Sequence, residues 1–309
     1  MAPHRLKRAR MSRTTSPATA FAVAAAGIGF FSLMDVAMKD LSIALGAYNA
    51  VIWRNMAGAI FAGALFLFAR QGWPDRSALR LHAWRSLVVA IMAISFFWAI
   101  ARLPLAEAIG LSFIAPVIAL FLAAILLGEK IGREAIIASV AGLAGVAVIL
   151  FGKFSGHYSR EALWGVAAVL FSAVVFAYNL ILARQQAQIA GPIEIAFFQN
   201  LLTASILALA APWLLEPLPM AKLPILSGAA LLAILSLLLL SWAYARAEAQ
   251  VLIPVEYTGF VWAAIFGWLF FAEPVTVWTI AGTALIVAGS LVAARVKPEP
   301  INQVEMAST

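Results

Sequence analysis

Ten runs of almost unbroken apolar sequence follow one another along most of the chain. They cover about 20–38, 48–68, 83–101, 105–127, 135–152, 162–182, 193–215, 224–243, 251–272 and 275–294. Each matches the roughly 17–25 residues that a helix needs to cross a bilayer. Inside hydrocarbon every backbone N–H and C=O must be satisfied within the protein, which leaves helices or a closed barrel. Barrel strands read as short alternating segments, so these runs are helices. Apolar residues make up 64% of the chain and charged residues 11%, against about 45–50% and 25% in soluble domains. The links at 102–104 and 273–274 make tight hairpins, and no linker has room for a soluble domain.

The chemistry available is limited. There is no cysteine, which excludes disulfides, thiolate metal sites and thiol catalysis. His4, His82 and His157 all fall outside the apolar runs, which argues against a buried histidine metal site or general base. There is no Walker loop for nucleotide-driven pumping and no G-x-S-x-G elbow. The sequence therefore predicts no catalytic residues, no metal and no cofactor. The net charge of +7 is spread over the tail and the gaps between runs, the pattern of topology signals rather than of a nucleic-acid face. The start, MAPHRLKRARMSRTTSP, resembles the basic region of a signal peptide. The following run is too long for such a segment, so a retained first helix is expected. Synthesis from Met11 is a side hypothesis, since the ten residues before it read as an unstructured extension.

With the N-terminus placed inside, fifteen of the 21 lysines and arginines face the cytoplasm. Lys39, Arg102, Lys153, Arg160 and Lys222 face out, and Arg54 lies within a run. That bias predicts a multi-pass protein of the bacterial inner membrane with both termini cytoplasmic.

The chain also repeats itself. A slide of 144 residues aligns 101–149 with 245–293, matching Arg102 with Arg246, Glu129 with Glu273 and Gly145 with Gly289. A slide of 145 matches Gly46 with Gly191, Asn55 with Asn200 and Lys39 with Arg184. Each half holds five runs. Five is odd, so the second half enters from the opposite side, and carriers built this way bind near the midplane between repeats. The expected fold is all-α, about ten transmembrane helices in two inverted five-helix repeats around a central cavity. The expected domains are a basic tail (1–18), a first repeat (19–152), a second repeat (153–294) and a C-terminal tail (295–309).

Two segments then stand out: LAEAIGLSFIAPVIALFLAAILLGEKIG in the first half and VLIPVEYTGFVWAAIFGWLFFAEPVT in the second. With FSLMDVAMKDL in the first run and the paired ends Gly128-Glu129 and Ala272-Glu273, they resemble the two EamA domains of the drug/metabolite transporter superfamily. The resemblance spans about 19–294. It implies alternating access and transport of a small organic molecule such as an amino acid, vitamin, nucleotide derivative or drug.

Ionisable groups within spans are expensive unless paired or facing a cavity. Asp35 and Arg54 fall at similar depth. They form a structural ion pair, or, with Asn55, a site where Arg54 meets an anionic group of the substrate, or else one of them snorkels to the interface. Glu256 follows Pro254 in IPVEYTGFVWA and reads either as a proton-coupling or substrate-cation site or as a hydrogen-bonded structural carboxylate. Its repeat partner is Ser112, near Pro116. Trp98, Tyr178, Trp242, Tyr257 and Trp262 are candidate cavity aromatics, with packing or interfacial anchoring as the alternative. The polar pairs Tyr178-Asn179 and Gln199-Asn200 each need a cavity or a partner. Glu129 and Glu273 close the fourth and ninth runs on opposite sides of the membrane and read as interfacial caps of the following helix, with loop pairing to Lys130 or Arg133, or alternatively as gating residues. Ala141 with Gly145, and Ala284 with Ala288, have small-xxx-small spacing, suited to scaffold packing or a homodimer contact.

The leading reading is a secondary carrier, proton-coupled or exchanging, whose partners are a small-molecule substrate and the lipid bilayer. A membrane-embedded lipid enzyme would need histidines or acids clustered at one interface. A non-transporting partner or sensor would carry a soluble domain or a long tail. Neither feature is present in the sequence.

Overall fold

A computed structural model describes residues 17–70, 72–127, 133–154, 159–244, 255 and 257–294, and all regular structure among them is helical. Four of these helices are long and apolar enough to cross a membrane, and five shorter apolar helices accompany them.

The first element, α1 (Pro17–Phe68), holds the first two apolar runs on either side of Gly46. Gly46 has φ 78° and ψ 153°, a region essentially reserved for glycine. Asp35 and Arg54 would stand about 28 Å apart on one straight helix. They are instead close enough to interact electrostatically, so the chain folds back at Gly46 into two arms.

Local chemistry sets the other boundaries. Asp75 caps α2 (Arg76–Ile100), its carboxylate accepting from Ala78 N at 2.7 Å. Pro104 precedes α3 (Leu105–Ser112). Pro116 has no N–H to give Ser112 O, and the fourth run accordingly breaks at 113–114 before resuming as α4 (Ala115–Leu127). There follow α5 (Arg133–Phe154) and α6 (Arg160–Ala187), which Ser159 caps. Then come α7 (Pro192–Ala208), entered through Gly191 and Pro192, and the single turn α8 (Ala211–Leu214). A 3₁₀ turn (Met220–Lys222) leads into α9 (Leu223–Tyr244). The last two helices are α10 (Thr258–Phe271), closed by Ala272 at φ 53°, and α11 (Val277–Ala294).

The contacts close into a ring. The first arm of α1 packs on α9, where Gly27 meets Leu240, and on α10, where Gly29 meets Trp262. Helix α10 reaches α3 through Gly267 and Leu105, α3 and α4 contact α6, and α6 contacts α2. Helix α2 contacts α7, and α7 packs on the second arm where Asn200 meets Gly58. Ala62, Ala196 and Ile234 pack together, joining the second arm to α7 and α9 and completing the circuit. Helices α5 and α11 pack on each other beside α3 and α4. Under the repeat alignment these contacts map onto one another. First arm with α9 becomes α6 with α2, and first arm with α10 becomes α6 with α3 and α4.

Two equivalent pairs run antiparallel. On α5 and α11, Gly145 lies against Gly282 and Ile286, while Gly152 lies against Trp278. On the second arm and α7, Gly58 lies against Asn200 and Gly63 against Phe197, while the Tyr48 hydroxyl donates to Leu207 O at 2.7 Å. Gly145 is therefore used inside the chain, whereas Ala284 and Ala288 stay exposed.

Candidate functional site

The two arms of α1 carry the buried charges of the first two runs. Asp35 is 1% exposed, and neither carboxylate oxygen has a hydrogen-bond partner. Arg54 interacts with it electrostatically but forms no ion pair with it. The guanidinium is turned toward its neighbour, Nη2 to Asn55 Oδ1 at 3.4 Å, and its Nε is also unpartnered. Of the alternatives for this pair, a locked ion pair is not what the structure contains. Asn55 donates Nδ2 to Val51 O at 2.8 Å, and its repeat equivalent Asn200 donates to Ala196 O at the same distance. Both amides cap the backbone four residues earlier in the same way.

The other candidates are dispersed. Tyr178 and Asn179 are partnered: the Tyr178 hydroxyl accepts from Trp84 Nε1 at 3.0 Å, and Asn179 Oδ1 accepts from Arg85 Nε at 3.0 Å. Trp98 lies under Arg102, whose guanidinium carbon stands 3.7 Å from the ring centroid. With Ile94, Ser95, Trp164 and Phe171, Trp98 lines a shallow groove of about 360 Å³ between α2 and α6. Trp164 and Phe171 are exposed and apolar, which puts this groove on the perimeter of the bundle. Ser112 donates to Ala108 O within its own helix. Tyr257 meets Phe113 edge-on at 5.2 Å, and Trp262 stacks on Phe266 at 5.5 Å. Trp242 packs around Ala24, Ala243 and Val255. Glu256 and Glu129 lie outside the described residues.

Two polar networks join the ends of the apolar runs, and the sequence reading missed both. At the Gly46 end, Lys39 is buried and forms an ion pair with Glu273. Its ammonium also donates to Leu103 O at 2.6 Å, and Leu105 N donates to Glu273 Oε2 at 2.8 Å. The buried carboxyl of Glu107 acts on Lys39 electrostatically, and the Phe271 ring lies 5.1 Å from its Nζ. The expectation that Glu273 caps an interface beside Lys130 or Arg133 is therefore corrected. The short link to Pro274 turns its carboxylate back under the bundle end, where Lys39 and the start of α3 meet it. Lys39, assigned from sequence to the aqueous side, is 3% exposed.

At the opposite end, His82 is 0% exposed and stacks on Phe198. Its Nε2 is 3.1 Å from Glu194 Oε1, and its Nδ1 bonds the Gln186 amide. Arg85 also bonds Gln186. His82 is thus buried although it falls outside the apolar runs. His82 sits one residue before the predicted third run, and α2 begins six residues earlier than it. Among the described residues no group of acidic and histidine side chains could hold a metal.

Several apolar helices long enough to cross a membrane, with shorter apolar helices packed on them, make this a multi-pass membrane protein. The EamA-like transporter family model matches residues 18–151 and 163–295, and the chain belongs to that family, within the drug/metabolite transporter superfamily. It is 28% identical over 271 residues to the pseudopaline exporter of Pseudomonas aeruginosa, covering 86% of this chain and 93% of that one. A riboflavin transporter of Rhizobium johnstonii is 28% identical over 276 residues, covering 86% and 87%. An S-adenosylmethionine uptake transporter of Rickettsia bellii is 26% identical over 274 residues, covering 86% and 92%. A solved crystal structure superposes with a TM-score of 0.60 at 20% identity, covering 90% of this chain and 98% of the other, which supports the fold. The relatives are transporters, and this chain is a small-molecule transporter rather than an enzyme.

Proposed function

We propose that the protein is a secondary active carrier of a small organic metabolite in the bacterial inner membrane. It works by alternating access, with ten spans, two inverted repeats and both termini in the cytoplasm. The antiparallel packing of α5 on α11, and of the second α1 arm on α7, supports the inversion, because each pair joins equivalent helices of the two halves. The lysine and arginine bias supports the orientation.

The observation that carries the site is the pair of buried ionisable groups, Asp35 and Arg54, on facing arms of one element, with both Asp35 oxygens and Arg54 Nε lacking a hydrogen-bond partner. Leaving buried charged groups without partners costs several kcal/mol, a cost that a substrate bearing opposite charges removes on binding. Arg54 takes a carboxylate or phosphate, Asp35 takes a cationic group, and Asn55 and Asn200 flank them on equivalent helices. The cargo in this reading is an organic molecule with both an anionic and a cationic or donor group. Amino-acid derivatives such as the S-adenosylmethionine named for one relative are of this kind. Glu256 is the proton-coupling candidate, and Trp242 and Tyr257 contribute aromatic surface from the second half. The exposed Ala284 and Ala288 face of α11 suits a homodimer.

Thermal-shift screening of the purified protein against a metabolite panel, followed by counterflow of each hit in liposomes, tests this. Arg54→Gln is expected to weaken the best anionic hit at least about tenfold, the loss of one charge-assisted hydrogen bond. Wild-type protein that exchanges no compound sinks the carrier. Exchange that is unchanged in both Arg54→Gln and Asp35→Asn sinks the site.

A further inference from the structure

We propose that the groove between α2 and α6 is a binding site for one anionic phospholipid, with an acyl chain along the groove and the phosphate on Arg102. The site needs only a bundle embedded in a bilayer and does not depend on what the protein carries.

The groove is held open by contacts at its two ends. At one end Gly165 brings α6 against the end of α2, where a Cβ would meet Leu103 Cγ at 2.9 Å. At the other end the Ser172 hydroxyl donates to Met92 O at 3.0 Å. Between these ties Ile94, Trp98, Trp164 and Phe171 wall the space of about 360 Å³. Trp164 and Phe171 share a face of α6 with Arg160 and Val174, all exposed. Val166, Val169 and Ala173 lie on the opposite face and are buried in the core. The groove therefore opens toward hydrocarbon and not into the ring of helices. The one hydroxyl among its lining residues, Ser95 Oγ, is spent on Ile91 O at 2.8 Å. A polar metabolite finds nothing to bond there, whereas an acyl chain finds apolar wall on both sides.

A charge is fixed at the end that Gly165 closes. Arg102 Cβ lies 3.4 Å from where a Cβ on Gly165 would stand. Its guanidinium lies over the Trp98 ring, and Nη1 donates to Trp98 O at 3.0 Å. These contacts aim the side chain but use only one of its N–H groups. Arg102 forms no ion pair among the described residues. The rest of the fork suits a phosphate, which arginine binds in bidentate fashion. The first turn of α6 adds the exposed Arg160, the exposed Glu161 and the positive end of the helix dipole. Two guanidiniums and a helix N-terminus against one carboxylate leave this end positive. An amphiphile with an anionic head matches a groove that is apolar along its length and cationic at one end.

Native mass spectrometry of the delipidated full chain tests this with phosphatidylglycerol and phosphatidylcholine of identical acyl chains. The wild type is expected to retain one phosphatidylglycerol at least about tenfold more tightly than phosphatidylcholine, as one charge-assisted hydrogen bond implies. Arg102→Gln is expected to remove that preference. Ala167→Trp, at an exposed lining position, is expected to remove the tightly held lipid by filling the groove. Arg80→Gln deletes an exposed charge near the opposite end of α2 and should leave both unchanged. Excess inorganic phosphate, which brings no acyl chain, should not displace the lipid.

Circular dichroism confirms that each variant is folded. Ala167→Trp leaves the contacts of Arg102 in place and serves if Arg102→Gln does not fold. Equal retention of the two lipids by the wild type overturns the site. So does a preference that persists in folded Arg102→Gln or folded Ala167→Trp, or one that Arg80→Gln abolishes as well. Displacement by inorganic phosphate would leave an anion site without a lipid, and a dimer that survives delipidation and shields Trp164 would give the groove to a second copy. Either result also overturns the proposal.

Discussion

The crossing of α5 and α11 offers the sharpest test of the packing. A Cβ added at Gly145 would lie 2.5 Å from Gly282 O and from Ile286 Cγ1, and one added at Gly282 would lie 2.5 Å from Gly145 O and Ile149 Cγ1. Ordinary C···O contacts begin near about 3.3 Å, so either substitution to alanine forces the backbones apart by about 0.8 Å. The obstruction is backbone on both sides, so no rotamer change relieves it. A radial gap of about 0.5–1 Å forfeits a quarter to a half of each dispersion contact along the seam. Overpacking of this kind costs about 1–3 kcal/mol, and a seam with glycine on both helices has little slack to reduce it. Gly145→Ala and Gly282→Ala should each destabilise the protein by that amount in denaturant-monitored unfolding from mixed micelles. The double variant carries the more specific expectation. Once one methyl has opened the crossing, the second meets less resistance, so the double cost should fall short of the sum by about 1 kcal/mol. Additive costs would mean that the two glycines do not share a crossing. Single-variant costs under about 0.3 kcal/mol would mean that the helices are not in backbone contact.

Other expectations follow from single positions. Gly46→Ala meets open space but must hold φ 78°, so it should lose about 1–3 kcal/mol of stability through backbone strain alone, and wild-type stability would remove the turn. Asp75 sits outside the spans, and the Ala78 N–H and Ser77 hydroxyl hold its carboxylate below the usual range. A lowered folded-state pKa contributes stability above the ordinary carboxylate pKa of about 3.9 that is lost as pH falls through the folded value. Asp75→Ala should therefore melt earlier than wild type near pH 7, and the gap should narrow in acid; a gap that grows in acid refutes the cap. Glu256→Gln should flatten the pH dependence of counterflow, and an unaltered profile would assign proton coupling elsewhere.

The sequence exposed the fold well because lipid allows so few solutions. The described parts of the apolar runs are mostly helical, with breaks at 113–114, where Pro116 splits 105–127, and at 209–210 in 193–215, while 251–272 is described only at Val255 and from Tyr257 onward. Charges in mid-run were legible for the same reason, and Asp35 and Arg54 drew notice because nothing in hydrocarbon solvates them. Residues at the ends of runs were not. Lys39, His82 and Glu273 sit where a window of hydropathy fades, and there a long or polar side chain either meets water or turns back under the helix. Which one occurs depends on partners 64 to 234 residues distant. Tyr178 and Asn179 show the intermediate case. Their need for partners was readable, but Trp84 and Arg85, 94 residues earlier, were not identifiable as those partners.

The repeat comes closest to closing this gap and also shows its limit. It singles out Lys39 with Arg184, and Glu129 with Glu273, as polar matches among cheap apolar coincidences. Sequence equivalence predicts like contacts for Lys39 and Arg184; among the described residues Lys39 is buried in an ion pair and Arg184 is exposed without one, while Glu129, the equivalent of Glu273, lies outside them. No local propensity separates a lysine from an arginine so completely, since both carry a full charge on a long stem. The difference lies in how the helices around each are disposed. The asymmetry between matched residues is therefore the feature that only a structure supplies.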